Sequence, residues 1–385
     1  MSGRTFSYLK KQLNNARSDK LRDEWVEMET LYTKKLWQQL SEKVLHFIEN
    51  NSTNFKDMYD EFISSFENSI DRVILAKICV AVAHDMIRTS NRAAATDFLK
   101  SRDKVCSKSN VALVRLHTGQ VELMMTERKV TDELAHPKAV RLVLEATQKE
   151  LDGLTGVTPA HGPFYKVSAE YARCVGDYES YYREALRYLG CIDIETLPNG
   201  EQVSRATTLV TAVLLADNIF NFGELLAHPV MKFAPTFLAN VISTFNAGNA
   251  TDYKNLKAEL LNDETFKNHE NSLNEKFRMM ALMEIAACRP PKERVIPFVQ
   301  IVNAVDIPKN YVEMYVIKCL SKGLIRGSIN QVKEEFNVDW VQPRVLDNEQ
   351  IKGMRKRIEN WQETVSDMSK IVHDNAKEIL VNKIA

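Results

Sequence analysis

The segment PFVQIVNAVDIPKNYVEMYVIKCLSKGLIRGSINQVKEEFNVDWVQ, residues 297–342, has the pattern of two helices followed by strands. Apolar side chains recur three and four residues apart over 298–305 and again over 312–320, which predicts an amphipathic helix in each range. Pro308 marks a turn between these helices. Gly323 follows the second helix at a position that favours a left-handed residue. The spacing therefore predicts a helix, a turn and a second helix.

Two strands are predicted after these helices. The first spans 324–329, and the second spans 338–342, where Val338 and Trp340 alternate with Asp339. Two helices followed by a two-stranded wing are typical of a winged helix.

The segment after the wing predicts one long helix. Asp347 and Gln350 have the spacing of a capping box, and Leu346 and Ile351 have that of a hydrophobic staple. Side chains three and four residues apart then continue for about four heptads in the a and d positions of a coiled coil. We call this set the apolar seam; it consists of Ile351, Met354, Ile358, Trp361, Val365, Met368, Val372, Asn375 and Ile379. The seam either folds back on its own chain or enters a bundle with other chains.

The segment before residue 290 predicts helices alone. Proline is absent before Pro137, and Gly3 is the one glycine before Gly119, so the first third has few residues that interrupt helices. Short amphipathic helices joined by short turns, without strand-like alternation, predict a mainly α fold with a solenoid-like helical-repeat arm. A compact all-helical domain is the alternative.

Four segments follow from these patterns. They are an N-terminal extension at 1–24, the helical-repeat arm at 25–289, the winged helix at 290–345 and the C-terminal helix at 346–385. The extension carries charges throughout and has no apolar run, so we do not expect it to be a signal peptide.

Composition and motifs exclude several classes of function. The 51 basic and 51 acidic residues cancel, so the chain as a whole does not attract nucleic acid or anionic lipid. Its apolar stretches are too short to span a membrane. The six scattered cysteines indicate a reducing compartment. The sequence has no HxH, HExxH, GxG, GxSxG, P-loop or CxxC motif, so we expect no metal, no cofactor and no catalytic activity.

DNA binding by the winged helix is a weaker interpretation. The second helix carries Lys309, Lys318 and Lys322 beside Glu313. The wing carries Lys333 among three carboxylates, Glu334, Glu335 and Asp339. Binding to phosphates requires an excess of basic residues, which these elements lack. A further basic group, Lys352, Arg355, Lys356 and Arg357, is either a nuclear-import signal or a solvated helix face.

Several stretches resemble the PCI-domain subunits of the lid of the 26S proteasome regulatory particle. They are LYTKKLWQQL (31–40), YYREALRYLGCIDIETLP (181–198), FNFGELLAHPV (220–230), SKGLIRGSI (321–329) and WVQPRVLDNEQIKGM (340–354). The resemblance extends from about residue 25 to the end of the chain. It implies a non-catalytic scaffold that supports lid assembly and ATP-dependent degradation of ubiquitinated proteins. A PCI scaffold of a sister complex, the signalosome or a translation initiation complex, is the alternative.

The resemblance also implies partners. In that family, winged helices associate side by side and C-terminal helices gather into a bundle, so we expect a hetero-oligomer with other PCI-domain lid subunits and with lid metalloprotease subunits. Deubiquitination belongs to a metalloprotease neighbour. We expect Val338, Trp340 and Gln342 to lie at an exposed strand edge that contacts a partner. The apolar seam would enter the bundle, with Trp361 as its main anchor. We expect the protein in the cytoplasm and nucleus, without nucleic-acid or membrane binding.

Overall fold

The computed structural model describes residues 2–15, 19–50, 55–88, 92–127, 134–289, 293–345 and 348–381. Its contacts divide the chain into two compact units, Met1–Leu197 and Pro198–Ala385. The described residues form helices almost throughout, with one small sheet near the end, so the predicted mainly α fold is confirmed.

The first unit is built from helices joined by short connections. They are α1 (Ser2–Asn15), α2 (Asp19–Thr33), α3 (Trp37–Asn50), α4 (Phe55–Glu61), α5 (Arg72–Arg88), α6 (Arg92–Cys106), α7 (Asn110–Met125), α8 (Pro137–Asp152), α9 (His161–Val175) and α10 (Tyr178–Cys191). Neighbouring helices pack pairwise: α5 lies against α6 and α7, α7 against α8, and α9 against α10. This arrangement is that of stacked helical hairpins.

Two apolar clusters and a few partly buried ion pairs hold the first unit together. One cluster joins α1–α7 and includes Phe47 and Phe62; the other joins α7–α9 around Phe164. On α7, the Glu122 carboxylate lies 2.8 Å from His84 Nε2 and 3.1 Å from Arg115 Nη1. Burial alone would raise the pKa of Glu122, but His84 and Arg115 outweigh it and lower that pKa.

The second unit begins with helices and ends in the sheet and a long helix. The helices before the sheet are α11 (Asn199–Leu215), α12 (Phe222–Ala227), α13 (Thr236–Ala247), α14 (Ala250–Leu260), α15 (Glu264–Asn268) and α16 (Glu270–Ala287). Lys276 of α16 is 3% exposed. Its ammonium group donates to the carbonyl oxygens of Val213, at 2.5 Å, and Ala216, and lies 5.1 Å from the ring centre of Phe222. This buried cation joins α16 to the C-terminal end of α11.

The winged helix follows α16, as predicted. Its elements are β1 (Val295–Pro297), α17 (Phe298–Val305), α18 (Val312–Ser321), β2 (Ile325–Asn330) and β3 (Glu335–Val341). Gly323 ends α18 with φ at 68°, the predicted left-handed residue. Each strand contributes a fully buried side chain: Ile296 from β1, Ile325 from β2 and Phe336 from β3. These side chains pack the sheet into the core of the winged helix.

The sheet differs from the prediction in the number and order of its strands. It has three antiparallel strands in the order β1-β3-β2, with Ile296 opposite Phe336 and Ser328 opposite Asn337. The sequence pattern missed β1 because three residues ending in Pro297 are too short to show alternation. β1 flanks β3 over 335–337, so β3 is central there, whereas residues 338–341 have their register partners in β2 alone among the described strands; the edge contact predicted for 338–342 stays a prediction.

The last described element is the helix α19 (Asn348–Val381) of 34 residues. Leu346 and Asp347 lie outside the described residues, as does the Gln350 side chain, so the staple and the capping box stay predictions. The predicted domain limits at 24, 289 and 345 also stay predictions; the division after Leu197 falls inside the predicted arm. Among the described helices, none combines the length and apolar composition needed to cross a membrane.

Candidate partner-binding surface

The apolar seam is exposed along α19. At 1.5 Å per residue the helix is about 51 Å long. Its apolar seam residues from Ile351 to Val372 are exposed by between 46%, at Met354, and 70%, at Trp361. Asn375 is also exposed, and the side chain of Ile379 lies outside the described residues. In the described part of the chain, the seam therefore does not fold back on its own arm.

An apolar stripe of this kind is typical of a helix that packs against other helices. The seam residues share one face because they stand three and four apart, and Ile371, 61% exposed, widens that face. Charged residues cover the opposite side, with ion pairs such as Arg355–Glu359 at 2.7 Å. A monomeric protein rarely exposes so long an apolar surface unless a partner covers it.

A short strap, residues 343–345, fixes the beginning of α19 to the helices before the sheet. The backbone N–H of Val345 donates to Asn221 Oδ1 at 3.2 Å. Arg344, whose side chain is 8% exposed, forms an ion pair with Glu284 of α16. Gly223 permits the close approach, since a Cβ at that position would lie 2.7 Å from the Val345 carbonyl oxygen. The stretches FNFGELLAHPV and WVQPRVLDNEQIKGM thus meet at the root of α19.

The predicted residues of β3 have different environments. Val338 is buried, and its N–H donates to the Arg294 carbonyl oxygen at 2.9 Å, so its side chain is not available to a partner. Trp340 is 37% exposed and lies 4.8 Å from the Arg326 guanidinium. The Gln342 side chain is exposed after the strand. The partner contacts of Trp340 and Gln342 stay predictions.

The structure adds an exposed apolar patch on the winged helix. This α17–α18 patch consists of Val299, Tyr311, Met314 and Ile317, exposed by between 38% and 58%. The apolar spacing in the sequence predicted only the buried face of these helices. The signal was present in the spacing of 311, 314 and 317, which places three apolar residues on one face. The outer face of α18 is therefore suited to protein contact.

Three lysines of the winged helix, Lys309, Lys318 and Lys322, have internal partners. Lys318 Nζ lies 2.9 Å from Glu275 Oε1, and Lys309 Nζ lies 2.6 Å from Glu334 Oε2. Lys322 donates to the Asp217 carbonyl oxygen at 2.9 Å. Cations that already neutralise carboxylates or cap carbonyl groups contribute little to phosphate binding, so these contacts argue against DNA binding by α18.

Two features of the described residues bear on catalysis. No group of three His, Cys, Asp or Glu side chains comes close enough among them to hold a metal ion. Burial raises the pKa of the Cys79 and Cys319 thiols to about 12, so neither forms a reactive thiolate near neutral pH. The surfaces described above are suited to protein association.

Three protein-family models match consecutive parts of the chain. The model described as PSD13 N-terminal repeats matches residues 24–241, the PCI domain matches 250–340, and the Rpn9 C-terminal helix matches 344–376. The first match begins within α2 and ends within α13. The second extends from the start of α14 to the end of the sheet but for Val341, and the third begins in the strap and covers most of α19.

Curated relatives are similar over most of the chain. The 26S proteasome non-ATPase regulatory subunit 13 of Dictyostelium discoideum is 30% identical over 94% of this chain and 95% of its own length. Homolog A of that subunit from Arabidopsis thaliana is 32% identical over 87% of this chain and 89% of its own length. The eukaryotic translation initiation factor 3 subunit M of Coccidioides immitis is 24% identical over 56% of this chain and 47% of its own length.

Proposed function

The chain belongs to the family of the 26S proteasome non-ATPase regulatory subunit 13, and from that membership we propose that it is a structural subunit of the lid of the proteasome regulatory particle. In this role it supports lid assembly, and through it the ATP-dependent degradation of ubiquitinated proteins, by protein contacts.

One observation carries this proposal: the apolar seam of α19 is exposed while the root of the same helix is held by the strap. A solvent-exposed Trp361 at the middle of a 34-residue helix is costly unless another helix covers it. The ion pair of Arg344 with Glu284 and the close approach of Val345 to Gly223 fix the position of the strap, and with it the position at which α19 begins. We propose that other lid subunits cover the seam in a helical bundle.

The winged helix would supply the second set of contacts. We propose that neighbouring PCI-domain subunits contact the α17–α18 patch and the region of Trp340 and Gln342, and that lid metalloprotease subunits lie close to the bundle. The outer edge of β2 supports such a contact, because β3 pairs with only one side of that strand. The assembly is then a hetero-oligomer in which this chain binds several different neighbours.

We propose that the chain itself is non-catalytic and acts in the cytoplasm and nucleus. The relatives carry the name of a regulatory subunit, and the buried thiols described above are unsuited to nucleophilic attack. The free cysteines agree with a reducing compartment, and the basic group at 352–357 is consistent with nuclear import.

The alternative, a scaffold of a translation initiation complex or the signalosome, has weaker support. The initiation-factor relative covers about half of this chain at lower identity, whereas the proteasome relatives cover nearly all of it. Shared fold alone accounts for a partial match of this kind.

Affinity purification tests the proposal. Tagged full-length chain and a version that ends at Leu346 are each expressed in cells, purified under native conditions, sized and analysed by mass spectrometry. We expect the full-length chain to bring down proteasomal lid and base subunits and the truncated chain to lose them. Copurification with initiation-factor or cullin-regulating subunits, in place of proteasomal ones, would refute the lid assignment.

A further inference from the structure

A groove of about 700 Å³ lies between the central strand and the first turns of α19. Its lining comes from three places: Val338–Val341 of β3, Ala286–Arg289 with Arg294, and Gly353, Met354 and Arg357 of α19. Because α19 contributes part of the lining, the groove exists only when the strap holds the helix in place. We call it the basic groove.

Three guanidinium groups in the basic groove have no carboxylate partner among the described residues. Arg289 donates to the Val295 carbonyl oxygen at 2.9 Å and to the side chain of Gln300. Arg294 donates to the Asp339 carbonyl oxygen at 2.6 Å. Arg357 extends from the exposed face of α19 into the groove.

The remaining charges in the groove do not cancel these three. Arg344 also lines it, but its charge is neutralised by the ion pair with Glu284. Asp339 is the one acidic residue in the described lining. The groove therefore has an excess of positive charge, although the whole chain has none.

Strand β3, which lines the groove, has an irregular register at Asp339. Trp340 pairs with Arg326 and Val338 with Gly327, so Asp339 has no register partner in β2 and forms a bulge. Trp340, next to the bulge, lines the groove together with Met354 and Pro343. The groove thus combines cations with apolar surface, which suits a peptide more than a phosphate backbone.

From this combination we infer that the basic groove binds an acidic segment of a partner protein. Its Asp or Glu carboxylates pair with Arg289, Arg294 and Arg357, whose planar forks match carboxylate geometry. An apolar side chain of the segment packs against Trp340 and Met354. Met354 also belongs to the apolar seam and Trp340 to the proposed winged-helix contact, but Arg289, Arg294 and Arg357 belong to neither, so the charge pairing is tested independently of the proposed lid role.

Fluorescence anisotropy with the purified full-length chain tests the inference. The probe is a short fluorescein-labelled peptide rich in Glu and Asp with one central Leu; the comparison peptide replaces Glu by Gln and Asp by Asn. We expect the acidic peptide to bind and the neutral one to bind at least about tenfold more weakly. Binding should weaken as salt is added, because exposed charges are screened.

Matched variants locate the site. The triple change Arg289→Gln, Arg294→Gln and Arg357→Gln is expected to weaken peptide binding about tenfold. The control, Arg141→Gln, Arg183→Gln and Arg355→Gln, removes the same charge from exposed helix faces outside the groove and should bind as the parent does. If the triple variant fails to fold, Arg357→Gln alone is used, with about threefold weakening expected because Arg357 is on an exposed helix face.

The outcomes that overturn the inference are distinct. Equal binding by groove and control variants, or equal binding of the acidic and neutral peptides, would refute it. Tighter binding of a single-stranded oligonucleotide than of the acidic peptide, lost in the groove variant, would show a nucleic-acid site instead. A seam variant, Trp361→Asp with Val365→Asp, should still bind the peptide, which separates this inference from the lid proposal.

Discussion

The double change Trp361→Asp and Val365→Asp places two charges in the middle of the apolar seam. Both residues are exposed in the free chain, at 70% and 50%, and lie on one face of α19. The change therefore leaves the cores of both units untouched, and we expect the free chain to fold as before. In a bundle the same positions lose their water, so the new carboxylates oppose association.

The size of the effect follows from the exposed areas. An aromatic side chain buries up to ~250 Å², so about 175 Å² of Trp361 is open to a partner. At ~25 cal/mol per Å², covering it contributes about 4 kcal/mol at most, and half of a valine adds about 1 kcal/mol. Because association also costs ordering entropy, the realised loss is smaller; a loss of at least ~2 kcal/mol, about 30-fold in affinity, is expected.

Incorporation into the assembly is the appropriate assay. Tagged parent and variant chains are expressed at equal levels, and the fraction that comigrates with the large complex on native gels is measured. Circular dichroism and thermal melting of the purified chains establish that both fold. We expect normal folding with little or no incorporation of the variant.

The control carries the same charge change on the opposite side of α19. Asn360→Asp with Ser366→Asp adds two carboxylates at positions that are exposed and outside the seam. We expect it to incorporate like the parent. If the Trp361 and Val365 variant incorporates equally well, the seam does not enter a bundle and the reasoning from its exposure is wrong.

Three further changes test contacts that stabilise the two units. Gly223→Ala places a Cβ 2.7 Å from the Val345 carbonyl oxygen, so we expect about 1–3 kcal/mol of destabilisation in urea and faster proteolysis of the strap, whereas Gly190→Ala, with open space around it, should not destabilise. Lys276→Met leaves two buried carbonyl groups without their donor and should cost about 2–4 kcal/mol in urea unfolding; unchanged stability would contradict that role. The pKa of the Glu122 carboxylate is lower in the folded protein than its usual value of 4.5. The ionised carboxylate therefore stabilises the fold fully at a pH above 4.5, and this stabilisation is lost as the pH falls through the pKa of the folded state. Glu122→Gln should therefore reduce stability at neutral pH by about 1–3 kcal/mol and flatten the acid dependence seen in urea titrations; an unchanged pH profile would contradict this.

Elements with local signals were predictable from the sequence. The helix following Pro297, the left-handed Gly323 and the 3,4 spacing of the seam all depend on residues a few positions apart, so their patterns are readable directly. The seam residues lie on one face of α19, as predicted, because the spacing along the sequence decides which side chains share a helix face.

Features that depend on distant residues were not predictable in this way. The three-residue strand β1 is defined by its pairing with Glu335–Asn337, about 40 positions later. The strap joins Val345 to Asn221, and the basic groove joins Arg289 to Arg357. The central position of β3 over 335–337 was not readable for this reason: a strand's position in a sheet is a property of its neighbours and not of its own alternation.

Photo-crosslinking from the apolar seam shows whether helices of other lid subunits cover it. A photoreactive amino acid is incorporated at Trp361 or, as control, at Asn360, the chain is assembled in cells, and crosslinked partners are identified by mass spectrometry. We expect crosslinks from position 361 to helices of other lid subunits and few or none from position 360. Crosslinks from position 361 only to residues of this chain, or equal crosslinking from both positions, would contradict this expectation.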